Sequence, residues 1–129
     1  TTREALADVR RVLRPDGVYV ANLIDYGEQR FARAEVATMR AVFDNVMIAG
    51  QAGDVGLDSP VGSDGGNLVA IASDRPLDPA AIRAAMDRRN TGWTVRDPAG
   101  TAAWVGDAQV LTDDYAPVDQ LLQPYRSAS

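Results

Sequence analysis

Residues 18–25 read VYVANLID, a nearly continuous apolar run of strand length. A run without polar alternation fits a strand buried on both faces, as in a sheet covered by helices. Asn22 is the one polar side chain inside it and is expected to need a hydrogen-bond partner. The flanks agree with a strand. Residues 1–13 carry Leu6, Val9 and Leu13 on one helical stripe, with Thr1 and Glu4 at the spacing of a capping box. RPDG then ends that helix, because Pro15 cannot continue the hydrogen-bond ladder and Asp16–Gly17 supplies turn chemistry.

The rest of the chain alternates in the same way. Residues 28–43 place Phe31, Ala34, Met39, Val42 and Phe43 at helical spacing before Asp44–Asn45 breaks the pattern. NVMIAG, 45–50, reads as a short strand. Residues 50–66 hold six glycines without periodicity, which predicts a long flexible connection. NLVAIASD, 67–74, reads as another buried strand. Asp78 caps a helix with Pro79 at its first position and Ile82, Ala85 and Met86 facing inward. Residues 90–109 carry no clear pattern, and Trp93 and Trp104 are their expected core anchors. Pro117 opens a last short helix with Asp119 in its first turn, where a negative charge suits the helix dipole. This order predicts an α/β fold in one soluble domain: a mixed sheet with flanking helices, and an antiparallel strand pair where two strands follow each other without a helix.

Composition narrows the chemistry. The 129 residues include no histidine, cysteine or lysine, so disulfides, thiolate nucleophiles, His-based triads and Schiff-base lysines are excluded. Any catalysis must use Asp, Glu, Tyr, Arg or backbone groups. The net charge of −5 argues against a nucleic-acid surface and is compatible with a cationic small molecule. No apolar run is long enough to span a bilayer and no signal peptide opens the chain, so a cytoplasmic location without membrane contact is expected. No G-x-G-x-x-G or G-x-x-x-x-G-K-[ST] occurs, and GSDGG at 62–66 precedes a strand instead of following one, which makes it a loop. The chain reads as the second half of a fold.

Two places could hold a substrate. Asp113, Asp114 and Tyr115 offer two adjacent acids and a ring, which can meet an ammonium by ion pairing and cation–π contact. The same residues can equally form the turn before the Pro117 helix. Asp25 and Tyr26 lie at the carboxyl end of the first strand, where ligands of open α/β sheets bind, or they cap that strand's end. Arg10, Arg11 and Arg14 read as a solvated helix face.

LRPDGVYVANLID also resembles the segment leading into the fifth strand of class I Rossmann-like methyltransferases. More narrowly, TTREALADVRRVLRPDGVYVANLID, ATMRAVFDNV, GGNLVAIASDRPL and LTDDYAPVDQLL, in that order, resemble the C-terminal half of bacterial spermidine synthase-like proteins of the polyamine aminopropyltransferase family. The resemblance implies a partial domain, the C-terminal half of a Rossmann-like methyltransferase fold. It implies a parent transferase in polyamine biosynthesis that moves an aminopropyl group from decarboxylated S-adenosylmethionine to a diamine. The Gly-rich nucleotide loop, the ribose-binding acid and the Asp-rich catalytic segment of such proteins would precede Thr1. This chain alone is therefore expected to hold no cofactor, to be inactive, and to form a homo-oligomer or pair with the N-terminal half. The family's Tyr-Tyr-Asn and His before the last helix are replaced here by LTDDYAP, which keeps two alternatives open: a fragment of an S-adenosylmethionine-dependent methyltransferase, or a non-catalytic association module.

Overall fold

The computed structural model describes residues 2–27, 29–52, 55–56, 63–88 and 93–113, with the backbone alone at 26–27 and 63–66. Along the chain these form α1 (Arg3–Val12), β1 (Tyr19–Gly27), α2 (Arg30–Val42), β2 (Asn45–Gly50), β3 (Ser63–Ser73), α3 (Pro79–Arg88), β4 (Thr94–Arg96) and α4 (Pro98–Val105). The final helix expected from Pro117 lies outside the described residues.

Helix α1 starts one residue later than its sequence suggests. Thr2, in an extended conformation, is the N-cap, and its hydroxyl accepts from the Ala5 amide at 3.3 Å. Glu4 is therefore not the partner of a Thr1 capping box; it turns to a distant segment described below. At the other end Leu13 is extended, and the Gly17 amide closes a turn onto the Arg14 carbonyl at 2.7 Å. A Cβ on Gly17 would stand 2.9 Å from that carbonyl oxygen, so the turn requires glycine.

The four strands order as β1-β3-β2-β4. The expected hairpin is present, with Asn45 opposite Ser73 and Gly50 opposite Leu68. The expected mixed sheet is antiparallel at each described neighbour. The α2 crossover returns the chain parallel to β1 but one strand away, and β3 fills the gap between β1 and β2. Strand β3 also starts earlier than expected, at Ser63, because Gly66 and Ser63 pair with Asp25 and Gly27 of β1. Part of GSDGG is thus strand and not loop. Within 50–56, the Val55 amide donates to the Gln51 carbonyl and Val55 is fully buried, which anchors that turn to the core.

Helices α1, α2 and α4 cover one face of the sheet. Leu6, Val36, Met39, Ile48, Leu68 and Trp104 pack there in the main core. Trp104 is a core anchor as expected, with the Arg33 guanidinium 4.7 Å above its ring. On the other face Met47, Ala49 and Val95 pack under Leu77, Ile82, Met86 and Trp93, which places α3 over β2 and β4. Strand β1 is consequently not buried on both sides. Leu23 and Asp25 point into the main core, whereas Val20 and Ile24 are 57% and 54% exposed on the outer face. Asn22 lies beside them, exposed to solvent, so it needs no buried partner.

Residues 94–105 show why no pattern was legible at 90–109. A three-residue strand has no periodicity to detect. Helix α4 did announce itself: Asp97 is its N-cap, accepting from the Gly100 amide at 2.6 Å, with Pro98 in the first turn. That is the Asp-Pro signature already recognised at Asp78–Pro79, where Asp78 accepts from the Ala80 amide at 3.0 Å.

Arg10 is more than part of a solvated face. Its Nε donates to Asp74 Oδ2 at 2.7 Å, and Asp74 Oδ1 accepts from the Asp44 amide at 3.2 Å. One carboxylate thus joins the end of α1, the α2–β2 turn and the end of β3. The hydrogen bond from Arg10 holds the Asp74 carboxyl below its ordinary range. A carboxyl whose pKa is depressed on folding stabilises above its unfolded pKa, and that contribution is lost as pH falls through the folded value. Asp74→Asn is therefore expected to lower the thermal midpoint near neutral pH, and by less as pH falls through the lowered pKa of the folded carboxyl. Thermal melts of both chains across that range check the outcome.

Candidate functional site

The C-terminal segment reaches the helical layer through one buried hydroxyl. Thr38, in the middle of α2 and fully buried, donates to the Ala34 carbonyl at 2.7 Å and accepts from the Leu111 amide at 2.8 Å. Leu111, itself fully buried, accepts from the Arg3 amide at 2.7 Å through its carbonyl. The segment is thereby fixed between the start of α1 and the middle of α2.

Asp113 follows from this placement. Its Oδ1 accepts from the Thr2 hydroxyl at 2.7 Å, and its amide donates to Glu4 Oε2 at 3.0 Å. The side chain stands exposed at the amino end of α1, where the helix dipole favours negative charge. Glu4 shares that corner, with an Arg3 guanidinium nitrogen 4.0 Å from its carboxylate. The turn reading is met in part, since the Asp113 amide and one carboxylate oxygen have partners. The acidic-surface reading stays open, since the carboxylate faces solvent. Asp114 and Tyr115 lie outside the described residues.

Asp25 is built differently. It is 2% exposed, and its Oδ2 accepts from the Ala32 amide, in the first turn of α2, at 2.9 Å. The N-cap position of that helix is Gln29, in the left-handed conformation (φ 57°, ψ 41°) and without a side-chain capping bond. Asp25 supplies the missing cap from the strand before the turn, satisfying an amide that a helix start leaves free. Gln29 is itself 2% exposed, so a strained non-glycine residue is buried where β1 hands over to α2. The backbone of Tyr26 belongs to β1, and its side chain lies outside the described residues.

The two carboxylates are held by different helices. Arg10, near the carboxyl end of α1, bonds Asp74 just past β3, beside the sheet end where β1 starts. The amino end of α1 consequently points toward the opposite end of the sheet. There β1 and β2 finish, α2 begins, and Asp25 sits opposite Gly66. Asp113 is thus held at the amino end of α1, and Asp25 at the amino end of α2.

Sequence patterns did not reveal the contacts that hold the 51–56 turn at this end. Arg96 Nη1 donates to the Val55 carbonyl at 2.8 Å, and Arg33 donates to the Trp104 carbonyl while stacking on its ring. Gly56 (φ +81°) lies against the indole, where a Cβ would be 3.1 Å from Cδ1. Among the described residues, no group of three or more acids could hold a metal ion.

Removing the Asp25 carboxylate by Asp25→Ala is expected to destabilise the fold by about 0.5–2 kcal/mol, the range for losing a helix N-cap. Asp25→Asn keeps an acceptor for the Ala32 amide and is expected to lose less. Urea titrations of the two variants check this ordering.

No protein-family model and no curated protein sequence matches this chain. Its structure does match a solved one, the crystal structure of a probable spermidine synthase from Corynebacterium glutamicum ATCC 13032. The TM-score is 0.73 at 25% sequence identity, and the match covers 96% of this chain and 44% of that one. The expected α/β architecture is thereby found in a known fold, although this chain spans less than half of the protein it matches. Over nearly its whole length the chain is similar to a portion of a spermidine synthase, consistent with the C-terminal part that its sequence resembles.

Proposed function

We propose that this chain is the C-terminal part of an aminopropyltransferase-like enzyme, and that its acidic corner serves a cationic diamine. The observation that carries the reading is the fold match to a probable spermidine synthase across 96% of the chain. The exposed carboxylate of Asp113, fixed beside Glu4, agrees with it. A diamine carries positive charge at neutral pH, and its attacking nitrogen must lose a proton before it can displace the sulfonium of decarboxylated S-adenosylmethionine. Carboxylates suit both tasks, since they hold the remaining ammonium and can accept the proton. Asp113, Asp114 and Tyr115 are proposed to hold the diamine, together with Asp25 and Tyr26 at the carboxyl end of β1. Asp25 would act there only in addition to capping α2.

The residues that bind the co-substrate belong, in this reading, to polypeptide outside these 129 residues. The chain alone is expected to bind neither S-adenosylmethionine nor its decarboxylated form, because it lacks the glycine turn that brings backbone amides to such ligands. Calorimetric titration with both compounds checks this, and a micromolar dissociation constant would overturn it.

In a transferase that includes this segment, Asp114→Asn is expected to lower kcat/KM for a diamine by more than about fivefold, with little change in melting temperature. Asn is itself a good turn residue, so a purely structural Asp114 would tolerate the change in both measurements. Unchanged diamine turnover, with or without a small fall in melting temperature, would assign DDYAP to the turn.

A further inference from the structure

Thr38 makes one bond more than a threonine inside a helix needs. Such a hydroxyl ordinarily bonds the carbonyl four residues earlier, and Thr38 does so, to Ala34 at 2.7 Å. It also accepts from the Leu111 amide at 2.8 Å, 73 residues along the chain. Both residues are fully buried, so water does not compete for that bond. The Leu111 carbonyl takes the Arg3 amide at 2.7 Å, which fixes both backbone polar groups of one residue. Asp113 follows two residues later. Its own bonds, with the Thr2 hydroxyl and the Glu4 carboxylate, lie at the surface, where water competes for the same groups. Burial of the Leu111 side chain alone favours a docked segment, but apolar burial is non-directional. The hydroxyl supplies the register.

We propose that Thr38 is a positioning residue for the diamine: through Leu111 it sets where the Asp113 carboxylate stands. This rests on the reading of Asp113 as part of the diamine site. Thr38 touches no substrate; it is buried in the middle of α2 and acts through the C-terminal segment. The residues for the sulfonium co-substrate lie elsewhere in that reading, so the hydroxyl acts on the diamine alone.

Thr38→Val keeps the size and β-branching of the side chain and removes the acceptor. In a transferase that includes this segment, it is expected to speed exchange of the Leu111 amide. It should also raise KM for the diamine by roughly fivefold or more, the factor that one lost hydrogen bond carries. KM for decarboxylated S-adenosylmethionine should stay within about twofold. Thr38→Ser, which retains the hydroxyl, should restore the diamine KM. Val95→Ala, a buried truncation on the opposite face of the sheet, should lower the melting temperature and leave that KM unchanged. Arg3→Pro removes the other hold on Leu111, since proline suits the first helical position and Thr2 before it is already extended. It should raise the same KM, and it carries the test if Thr38→Val does not fold. Asp113→Asn reads the underlying assignment. The proposal is overturned if Asp113→Asn raises the diamine KM while Thr38→Val, or Arg3→Pro in its place, does not. It is equally overturned if serine fails to restore that KM, if Val95→Ala raises it as much, or if KM for the co-substrate rises in step. An unchanged diamine KM in Asp113→Asn removes the reading of the acidic corner itself, and Thr38 is then structural only.

Discussion

A single buried hydroxyl organises the helical side of this molecule. Thr38 returns its proton to the Ala34 carbonyl and spends a lone pair on the Leu111 amide. A buried amide without a partner costs about 1–3 kcal/mol, so the bond to Leu111 decides whether the C-terminal segment can lie in the core at all. Once it lies there, the Leu111 carbonyl takes the Arg3 amide, the Thr2 hydroxyl finds Asp113, and Glu4 receives the Asp113 amide. Both ends of the described chain are therefore set by the middle of α2. The acidic corner is a product of that arrangement more than of its own local sequence.

A second constraint sits at the other end of α2. Asp25 caps the helix from the preceding strand, while Gln29 occupies the cap position in a left-handed conformation. The strand and the helix are thus joined twice, by backbone and by carboxylate, across a turn of a few residues. The same end of the sheet carries the Val55–Gly56 stretch, held to β4 by Arg96 and set against α4 by the contact of Gly56 with Trp104. These attachments fix the handover from β1 to α2, with Asp25 buried at its centre.

Much of this architecture was legible because its causes are local. Pro15 and Gly17 stop α1, the apolar runs become β1, β2 and β3, and Asp78 caps α3. What escaped detection has non-local causes. Strand β4 is three residues placed by its pairing with β2 and by the packing of Val95 under α3. The early start of β3 comes from its ladder with β1, not from any apolar residue of its own. The outer face of β1, open among the described residues, departs from the expected burial because an apolar side chain reports a preference for burial and says nothing of whether a helix is there to satisfy it. At the site, Asp25 and Asp113 were recognised by type and position. Their partners were not: Ala32 lies around a turn, and Thr2 and Glu4 lie more than a hundred residues from Asp113.

The central position of β3 has a consequence for synthesis. β1 and β2 emerge before β3, yet they do not touch each other; β3 joins them. Until residues 63–73 leave the ribosome, the nascent chain holds two strands with no ladder between them. The β2–β3 hairpin spans a short separation and can close as soon as β3 appears. Joining β1 requires a contact across some fifty residues, and long-range pairing of this kind slows folding. Docking of Leu111 on Thr38 comes later still. Within this stretch, folding is thus ordered from the hairpin outward, and the acidic corner forms after the hairpin.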